Sequence, residues 1–195
     1  MKKEIVFATG NRNKINEIRK MLGEEYEILG LEEIGFKGEI PETGATFEEN
    51  ALQKAQFLFE KFGLACFAED SGLEVDALGG APGVFSARYA GIRKNDADNI
   101  KLLLENLENK TDRAARFRCA IAYFDGSAPR FFDGKVEGQI AHAPVGEGGF
   151  GYDPVFIPQN FDRTFGQFSL EEKNKISHRA QAVAGFIQFL KSRKS

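Results

Sequence analysis

Short apolar runs alternate along the chain with stretches of helical periodicity, and together they predict a mixed α/β order. Glu4-Ile5-Val6-Phe7-Ala8 is bounded by Thr9-Gly10-Asn11 and reads as a buried strand ending in a turn. From Lys14 to Leu22, Ile15, Ile18 and Leu22 recur on one helical face, with Gly23 as the stop signal. Thr46 followed by Glu49 is a helix-start signature, and Leu52, Ala55, Leu58, Phe59 and Phe62 carry that helix to Gly63. A strand over Leu64 to Ala68 then ends at Glu69-Asp70-Ser71-Gly72, the place where open α/β sheets present functional groups.

The second half continues in the same manner. Ala97 to Leu107 predicts a helix, and Arg116 to Asp125 a strand with Phe117, Cys119, Ile121 and Tyr123 on one face. Arg130 to Ile140 and Pro154 to Ile157 read as further strands. Leu170 to Lys191 reads as one long closing helix carrying Ile176, Val183, Phe186, Ile187 and Leu190. With no internal repeat and no Pro/Ser-rich linker, one continuous domain over residues 1–195 is expected.

Composition narrows the function classes. The chain has 195 residues, 42% hydrophobic and 28% charged, enough to bury a core without disulfides or a structural metal. A net charge of -3 argues against gripping polymeric nucleic acid through its backbone, but leaves small phosphorylated ligands open. Gly10 and Asn11 interrupt the first apolar run too early for a signal peptide or membrane span, so the expected location is the cytoplasm. Cys66 and Cys119 have no paired spacing and are expected to be reduced core thiols. The 19 Phe residues are expected mainly in the core.

Four constellations can carry chemistry. Thr9-Gly10-Asn11-Arg12-Asn13-Lys14 lies between a strand and a helix, where backbone N–H groups, the helix N-terminus and Lys14 suit an anion. Its plain alternative is a turn with a solvated lysine, since it is not the common phosphate-binding loop. Acidic residues fall on three segments, at Glu42, at Glu48 and Glu49, and at Glu69-Asp70, which suits magnesium with its few carboxylates, retained waters and phosphate ligands. Glu69 and Asp70 should point to opposite faces of a strand, and Asp70 is the better candidate for the chemistry.

Gly146 to Asp153 formally contains Gly-x-Gly-x-x-Gly, but Pro154 follows at once and no helix opens there, so a dinucleotide fingerprint is rejected. What remains is a flexible loop that lets backbone approach a ligand, with Phe150 to stack on a base and Asp153 to bond its edge. The last constellation is Lys173 with Ser177-His178-Arg179, where His178 and Arg179 are candidate base-reading donors.

Taken together, Thr9-Gly10-Asn11-x-x-Lys14, Glu69-Asp70-Ser71-Gly72-Leu73, Leu78-Gly79-Gly80-Ala81-Pro82-Gly83, Ser86-Ala87-Arg88-Tyr89, Gly149-Phe150-Gly151-Tyr152-Asp153-Pro154 and Ser177-His178-Arg179 closely resemble the inosine/xanthosine triphosphate pyrophosphatase family over nearly the whole chain. The resemblance implies a central mixed sheet flanked by helices, two lobes about a nucleotide cleft, and a homodimer. It implies magnesium-dependent hydrolysis of ITP, dITP and XTP to the monophosphate and pyrophosphate. By that similarity Thr9 to Lys14 and Lys54 hold the triphosphate, Glu42 and Asp70 serve the metal, Asp70 is the general base and Ser71 contacts substrate. Phe150, Gly151, Tyr152, Asp153, Lys173, His178 and Arg179 surround the purine. Whether Glu69 or Asp70 is the principal metal ligand stays open at this level.

Overall fold

The first apolar run becomes β1 (Lys3–Phe7), which pairs in parallel with β2 (Tyr26–Leu29) and with β3 (Cys66–Val75). This computed structural model describes residues 3–22 and 26–193. The stop signal read at Gly23 lies outside the described residues. Helix α1 spans Arg12–Leu22, two residues earlier than the apolar spacing suggested, because Asn11 Oδ1 accepts the Lys14 N–H at 3.3 Å and caps its first turn. Four-residue β2 carries too little alternation to be legible in the sequence.

Helix α2 (Phe47–Phe62) forms where the sequence placed it, and its ends show why. Thr46 accepts from the Glu49 N–H while the Glu49 side chain accepts from the Thr46 N–H, and Gly63 closes the helix in the left-handed conformation at φ 67°. Thr46→Ala removes one arm of this box. It is expected to cost about 1 kcal/mol, read as a lowered urea midpoint with an unchanged slope.

Strand β3 departs from expectation by running through Glu69 and Asp70 to Val75 instead of stopping after Ala68. Apolar runs mark where a strand is buried, not how far its backbone pairing extends, and burial resumes at Leu73 and Val75. After α3 (Asp96–Asn106) come β4 (Ala114–Phe124) and β5 (Arg130–Ile140), close to the expected bounds. The strand expected over 154–157 is instead a 3-10 turn at Asp153–Val155 leading into β6 (Phe156–Pro158), which pairs antiparallel with β5. Pro154 cannot donate to a ladder, so pairing begins only beyond it.

The single closing helix is also corrected. Residues form α4 (Leu170–Ile176) and α5 (His178–Ser192), separated by Ser177 in extended conformation. Ser177 donates its N–H to Lys173 O at 2.8 Å, ending α4, and its Oγ accepts the Ala180 N–H at 3.1 Å, starting α5. One residue therefore ends one helix with its N–H and begins the next with its hydroxyl, without disturbing the apolar periodicity on either side.

The six strands lie in the order β2-β1-β3-β4-β5-β6 and form a mixed sheet flanked by the helices. The chain divides into two compact units whose boundaries fall inside β3, β4, β5 and α5. The first takes the described chain up to Asp70, Ala120–Asp133 and the chain from Ala182, and the second takes Ser71–Cys119 and Gly134–Gln181. In the first, Val6, Ala8, Ala55, Leu58, Cys66 and Ala68 pack together, and Phe7 stacks on Phe67 at 4.4 Å. In the second, Leu73, Val75, Leu103, Leu107, Phe117, Phe156 and Phe165 make the core. Both cysteines are buried thiols outside any disulfide, and burial pushes the Cys66 thiol up to about 12, far from reactive. Among the described residues no helix is long and apolar enough to cross a membrane.

Candidate active site

Two clusters bring the sequence-singled residues together, one in each unit. In the first, α2 turns a buried face toward β3 that reads Phe47, Asn50, Ala51, Lys54, Ala55 and Leu58. Asn50 and Lys54 are polar residues set four apart in an otherwise apolar stripe, and both meet the middle of β3. Lys54 Nζ lies 2.6 Å from Glu42 Oε1, 3.5 Å from Asp70 Oδ1 and 2.9 Å from Glu69 O. Asn50 Nδ2 donates to Asp70 Oδ2 at 3.1 Å.

The neighbouring carboxylate goes elsewhere, as alternation along a strand requires. Glu69 has no exposed side-chain surface, and its Oε1 lies 3.1 Å from Lys14 Nζ on α1. The turn before α1 is ordered by its own side chains, Thr9 Oγ1 accepting the Asn11 N–H at 3.2 Å while Asn11 caps the helix. Gly10 is exposed, and Arg12 points to the surface, paired with Glu32 at 2.7 Å. The Asn13 side chain is outside the described residues, although its backbone belongs to α1.

Electrostatics set Asp70 apart. Burial pushes its carboxyl above the ordinary carboxylate range, opposed by Lys54 and by the Asn50 amide, while the charge of Glu42 adds to the upward push. Two carboxylates that disfavour each other's charge, joined through one ammonium, form a hard-oxygen donor set suited to Mg2+. Among the described residues no group of three or more His, Cys, Asp or Glu side chains forms a ready cage. Magnesium does not need one, since waters and phosphate oxygens complete its shell.

The second cluster is built on the glycine-rich loop and the α4–α5 junction. Asp153, 2% exposed, accepts from Lys173 Nζ and from the Phe150 N–H at 2.9 Å. Gly149 makes this fold-back possible: at φ 77° a Cβ there would run into the Asp153 carboxylate. Asp96 holds the next turn by accepting the Gly151 N–H at 2.7 Å. The loop is therefore tied on both sides of Phe150, not loose as the glycine content suggested. Asp153 commits its Oδ2 to the lysine and the loop.

Phe150 is left 42% exposed, with Lys173 Nζ 4.7 Å and the Arg179 guanidinium 5.4 Å from its ring centre. His178 lies flat on Phe117, 4.9 Å between ring centres at 13°, which holds the imidazole plane. His178 and Arg179 open α5, so they sit at a helix N-terminus and not, as the sequence suggested, on the same helix as Lys173. Tyr152 is buried and its hydroxyl donates to Ser86 O at 2.9 Å, placing it in the core. Ser86 in turn accepts the Leu73 N–H and donates to Gly83 O, so the 78–89 motif residues shape the fold around β3. Ser71 follows Asp70 in β3 and is half-buried.

A family model described as the Ham1 family matches residues 5–189. The chain belongs to the Ham1 family. Relatives in that family named dITP/XTP pyrophosphatase include one from Porphyromonas gingivalis, 52% identical over 96% of this chain and 97% of the relative. Another, from Flavobacterium psychrophilum, is 48% identical over 97% of this chain and 100% of the relative. Among solved structures, the Staphylococcus aureus Ham1 protein superposes with a TM-score of 0.93 at 43% identity, covering 98% of this chain and 100% of that one. The Coxiella burnetii HAM1 protein gives 0.93 at 42% identity, covering 97% and 99%. These Ham1 matches bear out the family resemblance and the mixed α/β class read from the motifs. Sequence reasoning reached Lys54 only through that resemblance and missed Asn50 altogether. Both were signalled by polar side chains in the apolar stripe of a well-marked amphipathic helix.

Proposed function

We propose that this chain hydrolyses deaminated purine nucleoside triphosphates, ITP, dITP and XTP, to the monophosphate and pyrophosphate. What supports this most, beyond family membership, is the convergence of Glu42 and Asp70 on Lys54. Thr9 to Lys14 and Lys54 take the phosphates; Phe150, Lys173, His178 and Arg179 take the base, with Ser71 contacting substrate.

Glu42 and Asp70 would hold Mg2+, which supplies positive charge to the phosphates. The chain's own residues do the rest. Asp70 orients a water toward the α-phosphorus. A carboxyl raised by burial is a stronger base for the proton of that water. Lys14, oriented by Glu69, and Lys54 meet the charge developing on the departing oxygens. This assignment gives Glu69 to Lys14 and leaves Asp70 as the principal metal ligand.

On the base side, Phe150 stacks on the purine. His178 and Arg179 donate to O6 and N7, contacts that the 6-amino group of adenine cannot satisfy. We place the enzyme in the cytoplasm as a homodimer that purges such nucleotides from the pool.

The experiment is pyrophosphate release from ITP, XTP, GTP, ATP and dTTP, each with magnesium and with excess chelator. Release from ITP and XTP that chelator abolishes, with little from ATP and GTP, is the expected result. Preference for dTTP or chelator-resistant turnover would overturn it.

A further inference from the structure

We propose that Asn50 is a positioning residue that sets the geometry between the two carboxylate segments of the first cluster, an inference that rests on the reading of Glu42 and Asp70 above. Asn50 is 1% exposed, in the middle of α2 on its apolar face. Asparagine is a poor helix former, and its burial is tolerable only when the amide is satisfied. Here its two ends go to two different segments. Oδ1 accepts the Gly44 N–H at 2.8 Å, and Nδ2 donates to Asp70 Oδ2 at 3.1 Å.

The orientation of this amide is forced. A backbone N–H can only donate, so Oδ1 must face Gly44, and only the NH2 remains for the carboxylate. Asp70 is thereby gripped at both oxygens from one helix face, Oδ2 by Asn50 and Oδ1 by Lys54 one turn on. That double grip sets the plane of the carboxylate. The other end of the amide holds the loop two residues beyond Glu42. Gly44 allows the close approach: a Cβ there would lie 2.6 Å from Glu49 Cβ and 3.0 Å from Asn50 Oδ1.

A neighbour provides the control. Gln53 also hangs this loop on α2, accepting the Thr43 N–H at 2.9 Å and donating to Thr43 Oγ1 at 3.0 Å. Among the described residues Gln53 and Asp70 share no hydrogen bond. If Asn50 were only a helix-to-loop tie, its loss and that of Gln53 would look alike.

The test compares Asn50→Ala, Asn50→Asp and Gln53→Ala by urea denaturation, by binding of Mn2+ alone followed by electron paramagnetic resonance, and by pyrophosphate release from ITP. Asn50→Ala is expected to weaken Mn2+ binding about tenfold, whereas Gln53→Ala changes it by less than about twofold while lowering the urea midpoint similarly. Asn50→Asp keeps the volume and the acceptor for Gly44 but turns an oxygen toward Asp70. Its kcat is expected to fall about 100-fold with KM for the nucleotide nearly unchanged, the signature of misplacement, not lost binding. Equal effects of Asn50→Ala and Gln53→Ala on Mn2+, or an Asn50→Asp variant with wild-type kcat, would overturn the inference. A wild-type chain that released no pyrophosphate would fail the functional reading instead, and the Mn2+ comparison would still decide the role of Asn50.

Discussion

Asp70→Asn is expected to lower kcat for ITP by roughly 10²–10⁴-fold, the range lost with a general base, while the protein stays folded. The reason is that one side chain is asked to do two things. On the proposed reading its carboxylate would help to hold magnesium and would accept the proton of the attacking water. Asparagine keeps the shape but offers one acceptor oxygen to the two donors Asn50 Nδ2 and Lys54 Nζ, and it is a weaker ligand and no base. The net change in stability is expected to be small, because a lost acceptor is offset by a relieved charge. Burial and the Glu42 charge already disfavour the ionised carboxyl, so removing the charge relieves a native-state cost at neutral pH. Steady-state kinetics and a thermal melt on the same preparation check both halves. Turnover within tenfold of wild type would remove Asp70 from its assigned role.

The second large effect is on stability. Lys173→Met is expected to destabilise the chain by about 3–5 kcal/mol, because it leaves a buried carboxylate without its cation. Asp153 and Lys173 expose only 2% and 9% of their side chains, so solvent cannot replace the lost partner. What survives for Asp153 is the Phe150 N–H, and that bond holds the loop on which Phe150 is presented. The double variant Lys173→Met with Asp153→Asn removes both charges and keeps an acceptor for that N–H. It is expected to recover most of the loss in urea denaturation. A double variant less stable than Lys173→Met would mean that the pair acts through packing and not through charge.

The two variants differ in kind because the two clusters do. Around Asp70 the carboxylates exceed the nearby ammonium groups in their demand for charge, an imbalance that a divalent cation relieves. Around Asp153 the charges already match, and the exposed ring of Phe150 is what the site presents. On the proposed reading the first cluster takes the metal and phosphates and the second takes the base.

Much of this was legible in the residues. The motif order identified the family, and strand alternation alone gave Glu69 and Asp70 separate roles, in keeping with the separate partners the two side chains find. Other features were misread for identifiable reasons. The long closing helix has continuous apolar periodicity, and Ser177 is equally compatible with a helix interior on that evidence; its capping role shows only in its extended backbone. The pairing of Asp153 Oδ2 with Lys173, twenty residues on, left no mark in the local sequence. The glycine-rich loop looked mobile, but hydrogen bonds from Asp96 and Asp153 tie it down.

Alone, the sequence determined what depends on contacts within a few residues. Thr46, Glu49 and Gly63 specify both ends of α2, because capping bonds close over three or four positions. Apolar periodicity located most of the strands and helices for a similar local reason. Tertiary structure decided which of many acidic and basic side chains meet. Lys14 with Glu69, Asn50 and Lys54 with Asp70, and Lys173 with Asp153 are pairs distant along the chain. Whether a charge stays solvated or is buried against a partner depends on how the elements that carry it are brought together, and no local pattern records that.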